Sequence, residues 1–174
     1  MDHLKKYIRE VPDFPKPGIL FYDVTTLLEM PAAYRKALDA METYAKSREA
    51  NKIVAIESRG FIMGGALADR LSLSLVIARK PGKLPYQTES MRYDLEYGSD
   101  SLEIHADTIF PGDRILLVDD LIATGGTLLA TARLIEKLGG EIVGVSAMIA
   151  LDFLPWEEKL ADYDVNALVR YQTG

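Results

Sequence analysis

The sequence predicts an α/β fold, a parallel sheet flanked by helices, and three observations lead there. Short, β-branched apolar runs alternate along the chain with segments of helical periodicity, the pattern of a parallel sheet covered on both faces. The 174 residues suffice for one real core and fall short of two ordinary domains. No internal repeat, low-complexity tract or linker interrupts residues 1–174, so the whole chain reads as a single domain.

The elements follow in order. A short amphipathic helix is expected over residues 2–10, then a proline-rich irregular segment to Thr25. "VPDFPKPGILFYDVT" carries too many prolines for a central strand, so residues 1–30 should form a hood over the sheet. A helix follows over Pro31–Lys46, a strand over Lys52–Ile56, a helix over Met63–Leu71 and a strand over Leu73–Ala78. "MRYDLEYGSDSLEIHADT" alternates and turns at Gly98-Ser99-Asp100, predicting a two-stranded hairpin within a polar segment at 79–106. Such a hairpin is marginal alone and suits a lid. A buried strand over Arg114–Val118 is introduced by the turn "PGD". Leu128, Ala132, Ile135 and Leu138 form one stripe of a helix over 127–138, which Gly139 and Gly140 stop. A strand over 141–149, a short helix near Pro155–Leu160 and a strand over Val165–Tyr171 complete the chain.

Composition excludes several classes of function. The 48% hydrophobic and 26% charged fractions are those of a soluble globular protein. There is no cysteine, hence no disulfide, no thiolate metal site and no cysteine nucleophile. His3 and His105 have no paired spacing, so a histidine metal site is not expected. A net charge of −6 argues against a general nucleic-acid binder. "MDHLKKYIRE" has no apolar leader and no run reaches membrane-spanning length, so a cytoplasmic setting without a membrane partner is expected.

The chemistry concentrates in "RILLVDDLIATGGTLLATARLIEKLGG", Arg114–Gly140. An apolar strand ends in two acids, a Thr-Gly-Gly-Thr follows, and then a helix begins. Open α/β sheets place ligands at the carboxyl ends of their strands. The segment has no Gly-Lys-Ser/Thr and no G-x-G-x-x-G, so it is neither a Walker A loop nor a dinucleotide fingerprint. An ordinary βα connection would account for "TGG" alone. It does not account for the acids and threonines together. The Thr124 and Thr127 hydroxyls and the Gly125 and Gly126 amides suit a monophosphate dianion at a helix start. Asp119 and Asp120 at the rim suit the hydroxyls of a sugar attached to it, each charge-assisted bond contributing about 1.5–3 kcal/mol. The loop reads as a ribose-5-phosphate site.

"LLVDDLIATGGT" resembles the phosphoribosyl-pyrophosphate signature of the type I phosphoribosyltransferases, in the form found in their adenine-specific branch. "PDFPKPGILFYDVT", "ESRGF" at 57–61, "RKPGKLP" at 79–85 and "YDLEYGSDSLEIH" at 93–105 are similar to that branch as well, in order, over about residues 8–150. The resemblance implies the type I phosphoribosyltransferase fold, with an N-terminal hood and a hairpin lid. It implies transfer of a 5-phosphoribosyl group from phosphoribosyl pyrophosphate to adenine, giving AMP and pyrophosphate. Another purine or orotate as acceptor, or a non-catalytic sensor of the donor, is the alternative. A sensor would carry a DNA-binding module or a basic face, and neither is visible.

The same resemblance assigns roles. Ala123, Thr124, Gly125, Gly126 and Thr127 would hold the 5-phosphate, with Asp119 and Asp120 on the ribose. Ser58 and Arg59, after a peptide that is often cis in this family, would meet the pyrophosphate with Arg79, Lys80 and Lys83. From the residues alone, an Arg at a helix start wants an anionic partner, and "RKPGK" is an ordinary solvated charge run. Leu20, Phe21 and Tyr22 would contact the base; the family usually has Arg at position 22, which bears on base selectivity. Glu96 would be catalytic, managing the proton at purine N7, and Tyr97 would cover the site as part of the lid. Without the resemblance, Glu96 is a strand acid like Glu103. Mg2+ is the implied cofactor, carried mainly by substrate and water with no metal ligand taken directly from the protein. A homodimer is the implied assembly.

Overall fold

The computed structural model describes residues 1–94 and 99–173. Five parallel strands form the central sheet: β3 (Lys52–Ile56), β4 (Ser74–Ala78), β7 (Arg114–Ile122), β8 (Glu141–Leu151) and β9 (Val165–Tyr171), in the order β4-β3-β7-β8-β9. Before them lie β1 (Arg9–Val11), β2 (Phe21–Asp23), α1 (Thr25–Leu28) and α2 (Pro31–Ser47). Helix α3 (Gly60–Leu71) joins β3 to β4. β5 (Thr88–Asp94) and β6 (Ser99–His105) form the antiparallel hairpin. α4 (Gly126–Lys137) joins β7 to β8, and α5 (Trp156–Lys159) precedes β9.

The strand order decides where a ligand can enter. The chain runs from β3 outward to β4, then returns to the other side of β3 and continues through β7, β8 and β9. The direction of winding reverses between β3 and β7, and a crevice opens at such a switch point, outside the carboxyl ends of the strands.

β7 shows why the sheet is buried on both faces. Leu116 and Val118 belong to the core under α2, α3 and the hood. Ile115 and Leu117 belong to the core under α4, the hairpin and α5. Side chains alternate across a strand, so an uninterrupted apolar run serves two cores at once.

Four expectations need correction. β7 continues past Val118 to Ile122, because β8 extends to Leu151 and pairs Asp119 with Ala147, Leu121 with Ile149 and Ile122 with Ala150. The two acids therefore lie within the strand, and the phosphate loop shrinks to residues 123–125. α3 begins at Gly60, not Met63. The expected helix over 2–10 is a 3-10 segment, Asp2–Tyr7, followed by β1. The hood is not wholly irregular: β1 and β2 pair in a separate antiparallel ribbon. The hairpin is anchored as well. Leu102 and Ile104 are buried, Met91 packs on the same core, and Arg79 pairs with Glu103 to tie the hairpin to the end of β4.

Candidate active site

The two loops flanking the switch point are alike in construction. After β3, residues 57–59 lead into α3; after β7, residues 123–125 lead into α4. Each helix has 12 residues and starts at the crevice, where its dipole favours an anion. The Glu57–Ser58 peptide is cis, as the resemblance implied, and Ser58 is exposed.

At the α4 loop, Asp119 and residues 121–128 line a cavity of about 90 Å³. Pockets for drug-sized ligands run from about 300 to 1,000 Å³. This one suits a compact anion, not a nucleobase. Gly125 enters with φ +75°, a left-handed conformation that disfavours other residues. The Cβ it lacks would face Trp156, 3.2 Å from that residue's Cβ. The glycine is required by its backbone angle and by Trp156 behind it.

Asp119, which lines this cavity, and its neighbour Asp120 are 8% and 6% exposed. Asp119 Oδ1 accepts the Asp120 amide at 2.9 Å. Burial, with the Asp120 charge beside it, pushes the Asp119 carboxyl well above the ordinary carboxylate range. Burial raises Asp120 too, against the pull of Arg59. Arg59 Nε lies 2.7 Å from Asp120 Oδ2. The pair is not aligned as a hydrogen bond, and Oδ2 is a buried oxygen with its acceptor capacity unused. Two carboxylates held this way are poised for hydroxyl donors or a cation.

Arg59 finds the anionic partner its position demanded, and it is Asp120. Its guanidinium also lies 5.2 Å from the Phe21 ring, joining the hood to both loops. Phe14 packs edge-on to Phe21 at 5.1 Å, and half-buried Leu20 rests on the core. Tyr22 points the other way. It is 2% exposed, stacks on Tyr171 at 3.9 Å and donates its hydroxyl to the Thr173 carbonyl at 3.1 Å. Residues alternate along β2, so Phe21 and Tyr22 cannot both face the crevice. The Tyr22 side chain belongs to the core.

The basic loop is more committed than its sequence suggested. Arg79 Nη2 donates to Glu57 Oε1 at 2.9 Å and Nη1 to the Lys83 carbonyl at 3.2 Å. The Lys80 amide donates to Glu57 Oε2 at 2.8 Å, and Lys80 Nζ to Asp100 Oδ2 at 2.8 Å. Burial pushes Glu57 up, but the bonds from Arg79 and the Lys80 amide outweigh it and hold the carboxylate low. Asp100 raises Lys80, so the amine stays protonated. Lys83 is exposed.

Glu96 and Tyr97 lie outside the described residues. The strand just before them, β5, packs against α4, and Tyr93 donates its hydroxyl to Asp100 Oδ2 at 3.4 Å. Glu103 is not the idle strand acid of the sequence reading, because its carboxylate accepts the Gly82 amide at 3.1 Å and pins the basic loop. Among the described residues no group of three or more His, Asp or Glu is placed to cage a metal ion.

Sequence reasoning placed Gly60 with Ser58 and Arg59 at an anion-favourable turn, but missed Glu57 and the reason for the glycine. Glu57 organises the basic loop. Gly60 lets α3 start against β7: a Cβ there would lie 3.0 Å from Asp119 Oδ1, 3.0 Å from the Val118 carbonyl and 3.1 Å from Asp119 Cα. The available signal was a glycine directly after an Arg at a strand-to-helix turn.

Residues 23–164 match the model of the phosphoribosyl transferase domain. An adenine phosphoribosyltransferase from Acidobacterium capsulatum is 54% identical over 168 residues, 97% of this chain and 93% of the relative. One from Desulfitobacterium hafniense is 53% identical, covering 95% of this chain and 96% of its own length. Among solved structures, the adenine phosphoribosyltransferase of Thermoanaerobacter pseudethanolicus superposes with a TM-score of 0.94 at 45% identity, over 97% of this chain and 98% of that one. The Saccharomyces cerevisiae enzyme, solved with adenine and an imino-altritol bisphosphate, gives a TM-score of 0.90 at 36% identity, over 95% and 96%.

Proposed function

Because the chain belongs to the phosphoribosyltransferase family, alongside its adenine phosphoribosyltransferases, we propose that it transfers the 5-phosphoribosyl group of phosphoribosyl pyrophosphate to adenine. The products are AMP and pyrophosphate. One observation carries the reading: a phosphate-sized cavity at a helix start, lined by buried Asp119 with buried Asp120 next to it in the strand, opens at the switch point of the sheet.

The residues divide the work by position. The loop at 123–125 with Gly126 and Thr127 at the start of α4 holds the 5-phosphate, and Asp119 and Asp120 take the ribose hydroxyls. Ser58 and the start of α3, with Arg59, Arg79, Lys80 and Lys83, face the pyrophosphate. Its negative charge grows as the C1′–O bond breaks and the electron pair leaves with it. Arg79 and Lys80 are already paired, which holds them in place before the donor arrives. Phe21 and Leu20 offer the base an apolar face, while Glu96 on the lid accepts the N7 proton as N9 bonds to C1′. Closure of the hairpin excludes water from an oxocarbenium-like carbon that water would capture.

Magnesium fits this donor set. Carried mainly by substrate oxygens and water, it would lie near Asp119, which lines the cavity and whose carboxyl is raised by burial, a state that a nearby cation would relieve. Mg2+ when bound supplies neutralising charge to the pyrophosphate. A homodimer belongs to the same reading. The outermost strand β4 presents Leu75 at 41% exposure, and α3 presents Ile62 at 45%. No helix among the described residues is long and apolar enough to cross a membrane. A cytoplasmic setting completes the reading, since so highly charged a donor does not cross a bilayer unaided.

The test is turnover of purified protein with the donor, magnesium and one base at a time. AMP formation from adenine, with little product from guanine, hypoxanthine or orotate, is expected. Comparable turnover of a 6-oxopurine would overturn the base assignment, and no turnover of any base would favour a sensor.

A further inference from the structure

We propose that Trp156, on α5 beyond the signature motif, is a positioning residue that sets the shape of the phosphate loop and through it the affinity for the phosphoribosyl donor. The inference rests on the phosphate-binding reading of residues 123–127.

The geometry is direct. The position of the missing Gly125 Cβ lies 3.2 Å from Trp156 Cβ, 3.4 Å from Trp156 Cα and 3.5 Å from Leu160 Cγ. The loop backbone is therefore seated on α5 with no room for a solvent layer. Trp156 and Leu160 are 2% and 1% exposed. They share one core with Ile122 and Leu128, which flank the loop on either side. The loop is clamped at both ends and supported from behind.

α5 is too short to hold a conformation of its own. It is held by the end of the sheet. Arg170 on β9 reaches Glu157 at 3.2 Å and Asp152 at 3.4 Å, and its guanidinium lies 5.2 Å from the Trp156 ring. Gln172 donates to Asp152 Oδ2 at 2.6 Å. A cup built from backbone amides works only if its donors are already aimed, and a misplacement of 1 Å can cost about 10²-fold. The loop meets Trp156 at its Cα and Cβ, so the indole acts by filling the core beneath α5 and holding that turn against the loop. The indole Nε1 is buried without a partner, so its donor contributes nothing here.

The test compares Trp156→Phe and Trp156→Ala in the full-length protein, with Ile135→Ala as the control. Ile135 is a fully buried member of the same core, in the last turns of α4, away from the loop. Trp156→Ala should raise KM for phosphoribosyl pyrophosphate about tenfold or more and weaken ribose 5-phosphate binding in calorimetry by a similar factor. KM for adenine should stay within about twofold, the ordinary reading of a contact that acts on one substrate only. Trp156→Phe should restore donor KM to near the parent value. If Trp156→Ala does not fold, Trp156→Leu is read in the same way. Trp156 is also the chain's single tryptophan, so ribose 5-phosphate should change its emission and adenine alone should not.

Unchanged donor KM in a folded Trp156→Ala or Trp156→Leu protein overturns the proposal. So does an equal rise in Ile135→Ala, which would mean general softening of the core. If the parent protein itself fails to bind ribose 5-phosphate, the loop assignment fails instead.

Discussion

Gly60→Ala adds a single methyl at the point where α3 meets the end of β7. Its Cβ would stand 3.0–3.1 Å from three atoms of Val118 and Asp119. Two of those atoms are backbone, in the middle strand of the sheet, and β7 cannot yield because β3 and β8 hold it on both sides. The start of α3 must lift by about 0.5 Å to recover ordinary contact. Overpacking of this kind costs about 1–3 kcal/mol, and the better helix propensity of Ala returns up to about 1. The net loss of up to about 2 kcal/mol corresponds to a Tm decrease of up to about 8 °C for a chain of this size. Activity should fall further than stability, because the lift carries Arg59 away from Asp120, now 2.7 Å distant. A loss of about tenfold in kcat/KM for the donor is expected. Gly65 lies on the same helix with open space where its Cβ would be, so Gly65→Ala should raise stability by about 0.5–1 kcal/mol. Calorimetry and steady-state kinetics on the two variants settle the matter. A Gly60→Ala protein with unchanged Tm and unchanged donor kinetics would refute the close-approach argument.

Three further outcomes follow from the site. Asp119→Asn should raise the melting temperature of the ligand-free protein while lowering donor use. The Asp119 carboxyl is raised above its unfolded value, so it lowers stability as pH climbs from about 4 through the raised folded value, and the Asn variant should lack that decline in pH-dependent melting. A variant less stable than the parent at neutral pH would contradict this. Tyr22→Phe removes one hydroxyl bond to the Thr173 carbonyl and should cost about 0.5–1.5 kcal/mol in chemical denaturation, with the ratio of adenine to guanine turnover unchanged; a shifted ratio would return Tyr22 to the base site. Glu96→Gln should lower kcat and kcat/KM for adenine together by about 10²-fold or more, with donor KM little changed. The matching control is Glu89→Gln, whose partner Lys137 is exposed, because Glu103 pins the Gly82 amide. Equal effects of Glu96→Gln and Glu89→Gln would reduce Glu96 to a strand residue.

The alternation of β3, α3, β4, β7, α4, β8 and β9 was legible because apolar periodicity reports burial, and burial defines these elements. The run "LIATGGT" announced a phosphate loop because glycine and threonine together have few other uses at a helix start. What remained hidden was set by partners distant in sequence. β7 outlasts its apolar run only because β8 lies beside it, which no local pattern records. The Tyr22 side chain turns inward because Tyr171, at the far end of the chain, stacks on it. Arg79 and Lys80 read as free charge until Glu57 and Asp100 were brought to them by the switch-point loop and the hairpin. Gly60 was legible as part of a strand-to-helix turn, but its need for a missing Cβ came only with the end of β7 standing 3.0 Å away.

The account rests on the division of the crevice into a phosphate loop at 123–127 and a ribose site at Asp119 and Asp120, and a crystal structure of the protein with AMP tests it most directly. The 5-phosphate should lie among Thr124, Gly125, Gly126 and Thr127, the ribose hydroxyls should reach both carboxylates, and the base should lie on Phe21 with Tyr22 still stacked on Tyr171. A phosphate found instead against Arg79, Lys80 and Lys83, with the 123–127 cavity left to solvent, would contradict it.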